Sequence, residues 1–90
     1  MQYLATAEQA LDETVTQLVI KKEDNVVAFT LNNVGDVDFY YSAGVVVYAG
    51  TSKSIGGNNL VPFGISKSVK FADSSNYKMV VVEKIILVNE

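Results

Sequence analysis

Residues 25–41 read NVVAFTLNNVGDVDFYY, and their alternation decides the fold class. Val27, Phe29 and Leu31 share one parity, while Val26, Ala28 and Thr30 share the other. Asn32-Asn33-Val34-Gly35 interrupts the run with residues that tolerate positive φ, which predicts a turn. The alternation then resumes, with Val37, Phe39 and Tyr41 on one side and Asp36, Asp38 and Tyr40 on the other. Successive side chains of a strand point to opposite faces. Apolar residues on one face and acids on the other are what an antiparallel sheet requires when one side is solvated.

Downstream, Val45 to Ala49 reads as a strand closed by Gly50, and Gly50 to Asn59 as a long loop. Pro62 cannot donate to a ladder, so Leu60 to Gly64 is expected as an edge strand or a turn packed on the core. Ile65 to Ala72 turns Ile65, Val69 and Phe71 inward and Ser66, Ser68 and Lys70 outward, with Lys67 at the sheet margin. After a turn at 73–76, Tyr77 to Val88 is apolar on both parities except at Glu83 and Lys84. That run suits a central strand or a subunit contact, with the charge pair marking a bulge, a turn or a bend between sheets.

Upstream, Lys21 to Asn25 is a charged turn, and Thr14 to Ile20 is rich in β-branched residues. Tyr3 to Leu11 is the only helix candidate, because Leu4, Ala7 and Leu11 fall at helical spacing. Nine residues are marginal for an isolated helix, so a docking arm, a frayed end and a short strand all remain open. The expected fold is all-β: a small antiparallel β-sandwich or barrel of about six to seven strands at 14–90, preceded by a short N-terminal arm or helix at 1–13. On that division, removing residues 1–12 leaves a folded β domain with weakened self-association. The core should include Phe29, Phe39 and Val69.

Composition narrows the chemistry. The 90 residues include no Cys and no His, which removes the usual ligands of zinc, copper and iron and the commonest general base. No cofactor, metal or catalytic residue is expected. The net charge is −3, and the seven basic residues are scattered lysines with no Arg among them. Nucleic-acid binders present a basic stripe instead. Met79 to Val88 is too short and too charged to span a bilayer, so no membrane partner is expected. Residues 1–11 lack the basic start of a signal peptide, which suggests synthesis in the cytoplasm without export.

Several local patterns have plainer structural readings. Asn32, Asn33, Asp36 and Asp38 would supply oxygen ligands to calcium only if a loop gathered them on one point; a turn followed by a solvated strand face accounts for them more simply. Gly50-Thr51-Ser52-Lys53-Ser54 lacks the glycine before lysine and the following helix of a phosphate loop. Acid pairs among Asp36, Asp38, Asp73 and Glu83 have no spacing that requires glycoside chemistry, and an enzyme is not expected. The interface candidates are Tyr40 and Tyr48, as exposed aromatics, with Gly56, Gly57, Asn58 and Asn59 at a loop tip.

The segments FTLNNVGDVDFYYSA, LVPFGISKSVKF and YKMVVVEKIILV, in that order, resemble small β-sandwich structural proteins of bacteriophage and related virus particles, of decoration, fibre-base or head–tail type. The resemblance covers about two-thirds of the chain and rests on turn chemistry and strand pattern. It implies a non-enzymatic virion protein, assembled in the host cytoplasm, that contacts other copies of itself or other virion proteins. The alternative is a carbohydrate- or protein-binding sandwich module, whose sugar platform, with no Trp available, would come from Tyr40, Tyr41 or Tyr48.

Overall fold

Burial of the alternating apolar parities builds two facing layers. In the computed structural model, which describes residues 1–42, 44–56, 60–72 and 75–89, the strands are β1 (Gln2–Leu11), β2 (Gln17–Ile20), β3 (Val26–Asn33), β4 (Phe39–Tyr41), β5 (Val45–Val47), β6 (Ser52–Gly56), β7 (Ile65–Phe71) and β8 (Val80–Asn89). One sheet has the order β1-β8-β3-β6 and the other β2-β7-β4-β5. Every ladder is antiparallel. The charged turn at Lys22–Asp24 is a single 3-10 turn, closed by Asn25 in the left-handed region at φ 60°.

Between the layers lie Leu11, Val26, Phe29, Leu31, Val80 and Val82 of the first sheet and Leu18, Ile20, Phe39, Tyr41, Val47 and Val69 of the second. Phe39 packs on Phe71 with ring centroids 5.0 Å apart, and Phe29 meets both Tyr41 and Phe63 at 6.0 Å. Phe63 lies in the irregular Leu60–Gly64 segment, whose Pro62 keeps it out of either ladder; its backbone N–H donates to the Val26 carbonyl.

Several features differ from the sequence expectation. Ser52–Gly56, inside the stretch expected as a long loop, is the edge strand β6, laddered to β3. Residues 2–11 form neither a helix nor an arm set apart from the domain. They make a ten-residue edge strand in register with β8 from Gln2 opposite Asn89 to Leu11 opposite Val80. A chain begun after Asp12 would lose that ladder and Leu11, which is fully buried. The next strand is shorter than its β-branched composition suggests, starting at Gln17 after a turn that Asp12 holds by accepting from the Thr14 hydroxyl and N–H. Those two bonds keep the exposed Asp12 carboxyl below its ordinary pKa. The alternation of β3 slips between Val26 and Ala28, where Val27 is an extra residue, so Val26 rather than Val27 shares the core face with Phe29 and Leu31. Finally, β8 runs straight through Glu83 and Lys84 as one central strand; the irregularity lies across from it in β3.

Gly35 is where the 34–36 turn presses on the segment leading into β8. A Cβ there would stand 2.7 Å from the Met79 nitrogen and 2.8 Å from the Tyr77 carbonyl oxygen. Both obstacles are backbone, held by hydrogen bonds from Val34 and Gly35 to Met79 and from Asp36 to Tyr77. Gly35→Ala is therefore expected to destabilise the fold by about 1–3 kcal/mol through overpacking, read as a lower urea midpoint at unchanged slope. An unchanged midpoint would mean that the two segments separate without penalty.

Candidate interaction surfaces

The two tyrosines singled out from the sequence are solvent-facing, but in different settings. Tyr40 points away from the core on β4, between Val46 of β5 and Lys70 of β7. Its ring is half-buried, and the Lys70 ammonium sits 5.7 Å from the ring centroid. With Ser42, Ser66, Ser68 and Lys67, these two line a shallow groove of about 500 Å³ on the outer face of the second sheet. Tyr48 is 62% exposed in the turn that carries the chain from β5 to β6, where its carbonyl accepts from the Thr51 N–H and hydroxyl. Tyr41 is turned into the core against Phe29, and burial pushes its phenol pKa up, so it offers no sugar platform.

Gly56 is a structural position. It ends β6 at φ 83°, and a Cβ would stand 3.0 Å from the Phe63 ring and 3.1 Å from the Val27 carbonyl oxygen. Gly57, Asn58 and Asn59 lie outside the described residues. Of the four candidate calcium ligands, Asn32, Asn33 and Asp38 have side chains engaged in internal bonds, while Asp36 is exposed. Asn33 is buried, and its amide donates to the carbonyls of Val37 and Val47 and accepts from Gly35. Asn32 accepts from Ser52, and Asp38 accepts from the Ala49 N–H.

The surface that parity reasoning missed is the ribbon of β1 and the far half of β8. Along β1 only Leu11 is buried, and Ala5 is half-buried. Tyr3 and Leu4 are 45% and 50% exposed on opposite faces, while Ile85, Ile86, Leu87 and Val88 beside them are half-buried. Apolar side chains thus reach solvent on both faces of this end of the sheet. No protein-family model, curated protein or solved structure matches this chain. What the protein does must follow from its own surfaces.

Among these, the strand edges are the least alike. The two sheets end in β1 and β6, and in β2 and β5. β6 has five residues and carries Lys53, β2 has four and β5 three. β1 has ten residues, no Lys, no Pro and a single charge, Glu8. Short strands, lysines and prolines are the usual means of blunting an edge against pairing, and β1 uses none of them. Its charge is also poorly placed. Glu8 stands directly opposite Glu83, a like-charge pair on the outer face of the sheet. Lys84 is on the other face, where its ammonium donates to Gln9 at 2.7 Å.

Proposed function

We propose that this chain is a non-enzymatic structural protein that works by assembly, making contacts with other copies of itself or with other proteins of a larger particle through its strand edges and loops. The virus particle implied by the resemblance described above, assembled in the host cytoplasm, is the proposed setting. The observation that carries the reading is the β1–β8 end, which presents Leu4 and Leu87 on one face and Tyr3 and Val88 on the other. Apolar surface concentrated at one end of a small domain marks a site for protein contact.

Sedimentation velocity and native mass spectrometry of the intact chain over a wide concentration range test this directly. Association is expected, and Leu4→Ser combined with Leu87→Ser should weaken it about ten- to hundredfold, since covering two partly exposed leucines is worth about 1.5–3 kcal/mol. Leu87 is half-buried, so the variant should melt somewhat below the parent while keeping the parent's β-type circular dichroism. Association of equal strength in the variant would remove the end of the ribbon as the contact. A gene neighbourhood of capsid, portal or tail proteins would assign the particle.

The groove around Tyr40 favours a second reading, a carbohydrate-binding module, because it combines an aromatic ring with serine hydroxyls and lysines. Against it, the Lys70 ammonium already lies over the ring a sugar would stack on. Glycan-array binding that is lost in Tyr40→Ala would favour this reading over assembly.

A further inference from the structure

From the geometry of β1 we infer that two copies of this chain pair edge to edge through β1, antiparallel about a two-fold axis at Ala7, so that the β1-β8-β3-β6 sheets of the two copies join into one continuous eight-stranded sheet. The inference rests on the assembly reading and names its partner.

The first ground is backbone chemistry. In an antiparallel ladder, alternate residues turn both N–H and C=O to one side. β8 takes one set along β1, and the other set between Leu4 and Ala10 faces away from β8, where the topology places no strand among the described residues. At about 3.4 Å per residue, ten residues offer a ladder of about 34 Å, which is matched in length by the same strand of another copy.

The second ground is the side-chain register. A two-fold axis on a β1 residue keeps inner faces with inner faces, and axes on Thr6 or Ala7 each pair nine residues. An axis on Thr6 sets Leu4 opposite the Glu8 carboxylate of the other copy. An axis on Glu8 aligns Glu83, Glu8 and their two counterparts in one row of four carboxylates. The axis on Ala7 avoids both. It sets Leu4 opposite Ala10, Tyr3 opposite Leu11 and Ala5 opposite Gln9. It also places the Thr6 hydroxyl of each copy beside Glu8 of the other, giving a donor to a carboxylate that stands opposite Glu83 across the ladder. The alanines at 5 and 7 leave room for close approach at the axis.

The absence of cysteine makes the register measurable, since any introduced thiol is the only one. Ala7→Cys, Thr6→Cys and Glu8→Cys all alter exposed positions on the edge strand, and Lys53→Cys on the β6 edge serves as the collision control. After mild oxidation, Ala7→Cys should give at least about tenfold more disulfide-linked dimer than the other three, because only directly opposed residues come within the Cα separation a disulfide accepts. A maximum at Thr6 or Glu8, or yields equal to the Lys53 control, would overturn the pairing described here. An unmodified chain that dimerises while Ala7→Cys fails to cross-link would overturn the β1 pairing and leave assembly standing. A chain monomeric at every concentration would overturn both.

Discussion

Phe39→Ala should cost about 3–5 kcal/mol of folding stability, enough to leave a large part of a 90-residue chain unfolded at ambient temperature. Phe39 has no exposed surface, sits in the middle of the second sheet between β5 and β7, and packs its ring on Phe71. Its strand is three residues long and contributes only two side chains to the core, Phe39 and Tyr41. The neighbours that would have to close the void, Val47 and Phe71, are held in antiparallel ladders on either side. A cavity there collapses poorly, which places the substitution toward the upper part of the range seen for aromatic deletions. Urea denaturation followed by far-ultraviolet circular dichroism measures the loss. Phe39→Leu, which retains most of the volume, should recover more than half of it. A change under about 1 kcal/mol for Phe39→Ala would mean that the two sheets do not meet through this face.

Asn33→Ala is the second large effect, expected at about 3 kcal/mol or more, and it acts through polar groups rather than volume. The Asn33 side chain is buried at the end of β3, where it ties together three stretches of chain. Its amide donates to the Val37 carbonyl at 2.8 Å and the Val47 carbonyl at 2.9 Å, and its oxygen accepts from the Gly35 N–H at 3.1 Å. The backbone of the same residue bonds to Gly50 and Thr51, continuing the β3–β6 ladder into the turn after Tyr48. Removing the side chain strips two carbonyls of this donor, at about 1–3 kcal/mol for each group left buried and unsatisfied. Asn33→Asp is a sharper probe. It keeps the shape but replaces the donating amide with an ionised acceptor facing two carbonyls, so at neutral pH it should destabilise at least as much as alanine. Wild-type melting temperatures for both variants would show that water satisfies these groups.

The two substitutions separate what a reader of the sequence sees from what it conceals. Phe39 belongs to the alternation of residues 36–41, and its inward direction follows from counting by two. Asn33 lies in a run of turn-forming residues, where the natural reading is a solvated turn or an oxygen ligand. Nothing local reveals that its amide is buried, because its acceptors sit four and fourteen residues away. The same limit applies to the candidate contact surface. Tyr40 and Tyr48 were legible as outward-facing because strand parity is a short-range property. The apolar end of the ribbon was not, since it arises from setting Tyr3 and Leu4 beside Val88 and Leu87, more than eighty residues away.

The all-β class and the inward set Phe29, Leu31, Phe39, Tyr41 and Val69 follow from the order of residues alone, because a strand's two-residue period is written into consecutive side chains. Long-range pairing sets residues 2–11 as a strand, makes Val27 an extra residue in β3, and fixes which strands stand at the sheet edges. The first of these shows the reason. Leu4, Ala7 and Leu11 fit a helical face as well as a pleated one, and so short a helix does not hold alone in water. The neighbouring β8 supplies a full ladder of backbone partners, and conformation there is set by hydrogen-bonding groups from the other end of the chain.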